Sequence, residues 1–310
     1  MNKVYLDAAA TTQMRPEVIS KITEVMQDNY GNPSSTHSFG RSAKSLIERA
    51  RKAIAKQLNV TAAEIIFTSG GTEADNLALN SAVRDLGVRR IITSEIEHHA
   101  VLYCVNQLKD CFDIEVEYVK LTNEGEVDLR DLDNRLKHSE VKTLVSLMHV
   151  NNEVGNKLDI KKVALLCKEY KALFHSDTVQ SIGHYELDLQ DIPVDFTAVS
   201  AHKFHGPKGV GFAFIRKNSG LKPLIFGGEQ ERGYRAGTEG LHNIVGLEEA
   251  FKLAYQHLEE EKAYTTGLKS HFIELLKKEI PGVKFNGKCA DFDKSTYTLI
   301  NVNLPVSQEK

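Results

Sequence analysis

Lys203 is the residue of this 310-residue chain whose position best suits covalent chemistry. It follows the stretch DFTAV at 195–199, whose β-branched and aromatic residues predict a strand, and a second strand-like stretch begins at Val210. Active sites of α/β folds tend to lie at such strand ends. A partly desolvated amine there loses proton affinity and can form a Schiff base with an aldehyde, while Ser200 and His202 suit a phosphate and a nearby proton transfer. A lysine in a polar loop is more often a solvated residue without a function, so other parts of the chain are needed to assign a role to Lys203.

A glycine turn at 69–72 indicates a phosphate-binding site. The strand-like stretch EIIFT at 64–68 runs into Ser-Gly-Gly-Thr, and a helical pattern starts directly after it. The first N–H groups of a helix have no helical partner and bind phosphate with the help of the helix dipole. Gly71 helps the chain to turn tightly, and Thr72 adds a hydroxyl. The turn matches neither a Walker A loop nor GxGxxG, so an ordinary strand-to-helix turn remains the alternative.

Asp177 ends a strand-like stretch at 173–177, and we expect Thr178, Val179 and Gln180 to begin the next helix. An aspartate at such a point can hold a charged pyridine nitrogen, which is the partner expected of pyridoxal phosphate. Helix N-capping would explain the same residue equally well.

Two further stretches carry side chains that suit a ligand. His98 comes at the start of a predicted helix and can stack on an aromatic ring, although a histidine there more often caps the helix or lies on the surface. Asn151 and Asn152 follow the nearly apolar stretch at 143–150, which is typical of a strand buried on both faces of a parallel sheet. Their amides can hydrogen-bond a ligand, although turn formation alone would also explain them.

The alternation of strand and helix patterns from about residue 64 to 216 predicts a doubly wound, mostly parallel sheet. The glycine- and charge-rich loop at 226–238 is long enough to indicate a function. The first predicted helix begins at Pro16, and its expected apolar face contains Val18, Ile19, Ile22, Val25 and Met26. Further helices are predicted at 37–59, 159–171, 240–260 and 261–279, and further strands at 4–7, 90–93, 114–120, 283–285 and 296–304.

Length and composition bound the class of protein. A chain of 310 residues predicts a large domain with a smaller partner, and the net charge of −3 argues against non-specific nucleic-acid binding. Apolar runs are too short for a membrane span, and the first twelve residues lack the apolar core of a signal peptide. The four cysteines are scattered without CxxC spacing, which indicates reduced thiols in a cytoplasmic protein and neither a disulfide framework nor a zinc site.

Taken together, the chain resembles the cysteine desulfurases, which belong to the class-V aminotransferase family of fold-type-I pyridoxal-phosphate enzymes. The resemblance extends over essentially the whole chain, and so many motifs in order make it highly specific. The matching motifs are LDAAATT (6–12), GNPSS (31–35), FTSGGTEADNLA (67–78), EIEH (95–98), MHVNNEVG (148–155), HSDTVQ (175–180), SAHKFHGPKGVG (200–211) and ERGYRAGT (231–238).

The resemblance implies an α/β fold and a site for pyridoxal phosphate. The expected fold is a large domain at 13–255 with a mostly parallel, seven-stranded sheet flanked by helices, and a smaller α+β domain formed by 1–12 and 256–310. Lys203 would form the Schiff base, Asp177 would keep the pyridine nitrogen protonated, and His98 would stack on the ring. Further cofactor contacts are implied for Gly71, Thr72, Asn152, Gln180, Ser200, His202 and, from the neighbouring subunit of a homodimer, Thr238.

The implied reaction converts L-cysteine to L-alanine and passes the sulfur, as an enzyme persulfide, to an acceptor such as an iron–sulfur scaffold or a tRNA-thiolation pathway. The family's nucleophilic cysteine and substrate-binding arginine follow the stretch matching 296–304, so we expect neither in this chain and little turnover from it. Cys104 and Cys167 fit helix cores, Cys111 is near a helix end, and Cys289 precedes the last strand. Two alternatives remain open: a related lyase acting on cysteine or selenocysteine, and a catalytically incomplete scaffold.

Overall fold

A seven-stranded sheet forms the centre of the computed structural model, which describes residues 3–137 and 141–305. The strand order is β1-β7-β6-β5-β4-β2-β3, and only β7 runs antiparallel to its neighbours. This confirms the predicted mostly parallel α/β sheet. The strands are β1 (Ile65–Thr68), β2 (Arg90–Thr93), β3 (Glu115–Tyr118), β4 (Thr143–Ser146), β5 (Leu173–Asp177), β6 (Phe196–Ser200) and β7 (Gly211–Ile215).

Helices cover both faces of the sheet, because successive side chains of each strand point to opposite sides. In β1, Ile66 joins the apolar layer formed with α3 and α4, whereas Ile65 and Phe67 join the layer formed with α1, α2, α6 and α7. The helices are α1 (Pro16–Asp28), α2 (Ser38–Gln57), α3 (Gly71–Leu86), α4 (His99–Phe112), α5 (Leu129–Lys137), α6 (Ile160–Glu169), α7 (Leu241–Gln256) and α8 (Leu258–Glu279).

The last part of the described chain adds a small antiparallel pair, β8 (Lys284–Phe285) and β9 (Val302–Asn303). The division into domains at residues 12 and 255 stays a prediction, and residues 1, 2 and 306–310 of the predicted small domain lie outside the described residues. Across the described ranges, the helices are all too short or too polar to cross a membrane.

Several predicted elements were wrong in extent or type. Residues 4–7 form no strand: the side chains of Val4 and Leu6 are 76% and 88% exposed, and no neighbouring strand pairs with them in the described chain. On α1, Ile19 and Met26 are exposed, and only Val18 and Val25 of the predicted apolar face are buried.

The ends of two predicted strands and the start of one predicted helix also differ. The strand predicted at 143–150 ends at Ser146, and that predicted at 296–304 is reduced to β9. No helix begins at Thr178. The amide and hydroxyl of Thr178 both donate to the Ala198 carbonyl, which holds the chain against β6 and favours a turn over a helix.

Candidate active site

A cavity of about 450 Å³ lies where the carboxyl ends of the parallel strands meet the start of α3. Ligands of open α/β sheets bind at this edge. Every site residue predicted from the sequence lines this cavity except Thr238. The lining residues are Asp7, Ala9, Ala10, Gly71, Thr72, Asp75, His98, Met148, Asn152, Glu153, Asp177, Val179, Gln180, Ser200, His202 and Lys203.

Lys203 lies in a short 3-10 turn directly after β6, as the sequence predicted. Its Nζ atom donates to the carbonyl oxygens of Ala9 and of Ala10, the latter at 3.0 Å. Burial lowers the pKa of this amine, while the nearby carboxylates, above all that of Asp177, oppose the shift. A lysine with a lowered pKa carries more of the neutral amine needed to attack an aldehyde.

The segment at 9–13 folds over Lys203, a role that sequence reasoning missed when it assigned residues 4–7 to a strand. The amide and hydroxyl of Thr12 donate to the His202 carbonyl at 2.9 and 2.8 Å. The Thr11 hydroxyl lies 3.1 Å from His202 Nδ1, and burial next to cationic Lys203 lowers the pKa of His202 to about 4. His202 is therefore a neutral hydrogen-bonding group at physiological pH.

The predicted phosphate turn has the close approach that a small ligand group requires. A Cβ atom on Gly71 would lie 2.5 Å from Val179 Cγ2, so a larger residue would displace the wall of the cavity. The free N–H groups of the first turn of α3 and the hydroxyls of Thr72 and Ser200 meet here. These neutral and partly positive donors form a cradle of the kind that binds a phosphate.

Asp177 lies at the end of β5, where its Oδ1 accepts a hydrogen bond of 2.8 Å from the Val179 amide. Burial, together with the negative charge of Asp75, raises the pKa of Asp177 to about 7. A buried carboxylate of this kind is stabilised by a cation. The protonated nitrogen of a pyridine ring would supply that charge, so the cavity fits a phosphorylated pyridine: donors for phosphate, an acid for the ring nitrogen and an amine for an aldehyde.

Buried titratable groups behind Asp177 were not found from the sequence. Asp75 Oδ1 lies 3.2 Å from His175 Nε2, and His175 Nδ1 lies 2.9 Å from the Ser146 hydroxyl. Burial raises the pKa of Asp75 well above its usual range, raises that of Glu97 to about 8 and lowers that of His175 to about 4. Glu97 and His175 are therefore mainly uncharged at neutral pH. The spacing of these buried groups could not be read from the sequence, because they come from α3, the turn before α4 and β5.

The remaining predicted residues have structural contacts as well as a place in the cavity wall. His98 caps α4, its Nδ1 accepting from the Ala100 amide at 3.1 Å, while its ring stays exposed at the cavity. Gln180 Nε2 donates to the Ala9 carbonyl at 2.9 Å, and Asn152 Nδ2 donates to Glu153 Oε1 at 2.8 Å. Capping and ligand contact are thus compatible roles for His98.

Thr238 lies outside the cavity, at the exposed end of the loop at 226–238. Ion pairs fix this loop to the body of the protein. Glu231 forms a bidentate, buried pair with Arg51 at 2.6 and 2.8 Å, and Arg235 Nε lies 2.8 Å from Glu73 Oε1 on the first turn of α3. The loop is therefore anchored beside the phosphate cradle and presents Thr238 outward.

Removing the charge of Glu231 should destabilise the fold. Glu231 and Arg51 are 4% and 2% exposed, so Glu231→Gln removes the buried carboxylate and leaves the guanidinium with only the partly exposed Glu48 as an ionic partner. We expect the free energy of unfolding to fall by about 3–5 kcal/mol, measured by urea denaturation. Glu229→Gln, which changes an exposed residue of the same loop, is the matched control. Equal and small effects of both changes would contradict this role of the ion pair.

The described cysteines are separate from the cavity. Cys104, Cys167 and Cys289 are buried, and Cys111 is exposed near the end of α4. Burial raises the pKa of Cys104 to about 12 and also raises that of Cys167. Nowhere in the ranges described do three or more His, Cys, Asp or Glu side chains form a group able to hold a metal ion.

Comparison with known proteins places this arrangement in a family. The sequence profile of the aminotransferase class-V family matches residues 4–308. The chain is 42% identical over 287 residues to the cysteine desulfurase IscS of Dictyoglomus turgidum, covering 92% of this chain and 72% of that protein. It is 41% identical over 309 residues to the putative cysteine desulfurase IscS 1 of Bacillus subtilis, covering 98% of this chain and 79% of that protein.

A solved structure agrees with the sequence comparison. The structure of a NifS-like protein superposes with a TM-score of 0.92 at 36% sequence identity, covering 98% of this chain and 82% of that one. The similarity therefore extends over the sheet, the cavity and the small antiparallel pair.

Proposed function

The chain belongs to the aminotransferase class-V family, among its pyridoxal-phosphate-dependent cysteine desulfurases, and from this premise we propose that its cavity binds pyridoxal phosphate through Lys203 and acts on L-cysteine. The observation that carries the proposal is the convergence of Lys203, Asp177 and the turn at Gly71 on one cavity.

Each end of the cofactor would have its own partners. Gly71, Thr72, Ser200 and His202 would hold the phosphate, and Asp177 would pair with the protonated ring nitrogen. His98 would pack on the ring face. Gln180 and Asn152 would donate hydrogen bonds near the ring oxygen, with Asn152 also near the substrate carboxylate. All of these side chains line the cavity, which supports their assignment as a set.

When bound, pyridoxal phosphate supplies an electron-accepting ring that stabilises a carbanion at the substrate Cα. Lys203 Nζ, with its lowered pKa, takes the proton from Cα and later returns one to the carbon skeleton. The carboxylate of Asp177 would pair with the positive charge of the protonated ring nitrogen. The segment at 9–13 covers the lysine and limits the access of water to its amine.

The binding of L-cysteine tests the proposal directly. We expect the visible spectrum of the cofactor-loaded protein to shift when L-cysteine is added, because the substrate amine competes with Lys203 for the cofactor. A non-amine analogue, 3-mercaptopropionate, should leave the spectrum unchanged. A spectrum that does not respond to L-cysteine would contradict the proposed substrate.

The four cysteines of this chain are not expected to accept the sulfur. Sulfur transfer needs an accessible thiolate, whereas Cys104, Cys167 and Cys289 are buried. Cys111 is exposed, but it lies about 20 Å along α4 from His98, at about 1.5 Å per residue. We therefore expect that, in a polypeptide of these 310 residues, the amine of L-cysteine replaces Lys203 on the cofactor but alanine does not accumulate.

Alanine release with L-cysteine and a reductant is the assay, and the Bacillus subtilis relative serves as positive control. If the 310-residue polypeptide produced alanine at a similar rate, one of its own thiols would be the acceptor, and single Cys→Ser changes would identify it. Alanine release at the rate of the Bacillus subtilis relative would contradict the expectation that none of the four cysteines accepts the sulfur.

We propose further that the protein is a homodimer in which Thr238 reaches the cofactor phosphate of the other subunit. The exposed position of Thr238 on an anchored loop supports this arrangement. The proposed sulfur acceptor is a separate protein, such as an iron–sulfur scaffold. The unpaired state of the four cysteines supports a reducing, cytoplasmic location.

Mixed dimers test the shared site. In a mixture of Lys203→Ala and Thr238→Ala chains, a heterodimer should contain one site with both changes and one with neither. Cofactor binding at one site per heterodimer should therefore be as tight as in the wild type. A monomer that binds the cofactor normally would contradict the shared site.

A further inference from the structure

His184 lies between the backbone of Lys203 and the segment at 294–301. Its Nε2 atom is 3.1 Å from the Lys203 carbonyl oxygen, and its Nδ1 atom is 3.2 Å from the Tyr297 hydroxyl. A carbonyl oxygen only accepts hydrogen bonds, so Nε2 must carry the hydrogen in this pair. Nδ1 of the neutral ring is then an acceptor for the Tyr297 hydroxyl, which shares its one hydrogen between Nδ1 and the His184 carbonyl oxygen.

The ring is held in this tautomer by its surroundings. Burial lowers the pKa of His184, so the imidazole stays neutral at physiological pH. The Tyr297 hydroxyl also lies 3.2 Å from the His184 carbonyl, so the tyrosine contacts both the ring and the backbone of this residue. Tyr297 is 8% exposed, and its ring packs edge-on against Tyr185, with ring centroids 5.7 Å apart. Histidine and tyrosine therefore form one fixed unit.

The turn that carries His184 is also packed against the lysine turn. Gly183 has a φ of +83°, and a Cβ atom there would lie 2.8 Å from the Cβ of Phe204, the residue after Lys203. The Tyr255 hydroxyl lies 3.4 Å from the Gly183 amide and 3.3 Å from the Tyr185 carbonyl. The backbone of this turn is thus supported on both sides of His184.

The segment at 294–301 reaches the opposite wall of the cavity as well. The Thr296 amide donates to the Gly155 carbonyl at 2.8 Å, and Asn301 Nδ2 donates to the Glu153 carbonyl at 2.9 Å. Glu153 lines the cavity next to Asn152. One segment therefore supports both the loop proposed to contact the substrate and, through His184, the lysine.

We infer that His184 is a positioning residue for Lys203, and that the Tyr297–His184 pair transmits the position of the segment at 294–301 to the lysine backbone. The inference rests on the proposed function of Lys203. The segment at 294–301, between β8 and β9, thereby helps to align the amine, because it contacts both His184 and the loop that contains Glu153.

The pair should affect covalent attachment more than cofactor affinity. Without the Nε2 donor, the Lys203 carbonyl loses its link to His184 and the turn after β6 is less constrained. The phosphate cradle contains no atom of His184 or Tyr297, so non-covalent binding should change little. A misplacement of about 1 Å can cost about a hundredfold in rate, so a tenfold or larger loss of attachment rate is a reasonable threshold.

The experiment compares His184→Gln, His184→Leu and Tyr297→Phe with the wild-type chain. His184→Gln keeps an N–H donor near the position of Nε2, and His184→Leu removes it. Tyr297→Phe removes only the hydroxyl. Attachment is followed by stopped-flow absorbance after pyridoxal phosphate is mixed with apoprotein. Non-covalent affinity is measured for the same changes in a Lys203→Ala background.

We expect His184→Leu to slow attachment at least about tenfold and His184→Gln to remain within about threefold of the wild-type rate. The rate of Tyr297→Phe should fall between them. Non-covalent affinity should stay within about threefold throughout. Equal losses of attachment rate in His184→Gln and His184→Leu, or a wild-type rate in His184→Leu, would overturn the inference. If the leucine variant does not fold, a wild-type rate for Tyr297→Phe would overturn it alone, and a slower rate would support it. A wild-type chain that forms no covalent bond would instead overturn the proposed function.

Discussion

Replacing Lys203 with alanine is expected to abolish the covalent bond to pyridoxal phosphate and the visible absorbance that depends on it. Lys203 lies on the cavity wall directly after β6, and burial lowers the pKa of its amine. The loss of proton transfer at the substrate Cα alone should slow the reaction by a factor of about 10⁴. Absorbance spectra of apoprotein reconstituted with the cofactor, before and after desalting, would measure the first effect.

Lys208→Ala is the matched control for this change, because Lys208 belongs to the same motif but is exposed. The control should keep the absorbance of the wild type. Weakly held cofactor should remain detectable in Lys203→Ala before desalting, since the phosphate donors at Gly71 and Thr72 are intact. A spectrum of covalently bound cofactor that survives desalting in Lys203→Ala would contradict the assignment.

Replacing Asp177 with asparagine is expected to leave cofactor binding largely intact and to slow the chemistry by several powers of ten. The change removes the negative charge that favours a protonated ring nitrogen, while the side chain keeps its size and the Val179 amide keeps an acceptor. A loss of about 4 kcal/mol of transition-state stabilisation corresponds to about a thousandfold in rate.

Exchange of the Cα hydrogen of L-alanine with deuterium from the solvent measures this step without requiring a sulfur acceptor. Asp188→Asn, at an exposed aspartate outside the cavity, is the control and should exchange at the wild-type rate. Wild-type exchange in Asp177→Asn would show that the carboxylate does not support the ring charge.

The central sheet was predictable because its strands carry their own signals. β1, β6 and β7 are short, mostly apolar and bounded by turns, and their residues are buried throughout. The glycine turn before α3 and the lysine turn after β6 could likewise be located, since each joins a strong strand pattern to polar residues. Local patterns therefore identified the walls of the cavity.

Contacts between distant parts of the chain were beyond local patterns. Asp75 and His175 lie 3.2 Å apart but come from α3 and β5, and nothing in either stretch specifies their pairing. The apolar residues Val4 and Leu6 predicted a strand, although strand formation also requires a neighbour that the fold does not provide. In the same way, His184 has no motif of its own, and its meaning depends on Lys203 and Tyr297 on either side.

The most direct test of the account is to locate the covalent bond itself. The protein is loaded with pyridoxal phosphate, reduced with borohydride, digested and analysed by mass spectrometry. We expect the phosphopyridoxyl group on the peptide containing Lys203, with fragment ions assigning it to that residue, and none on exposed Lys208 of the same motif. Stoichiometric modification of another lysine, with Lys203 unmodified, would contradict the account.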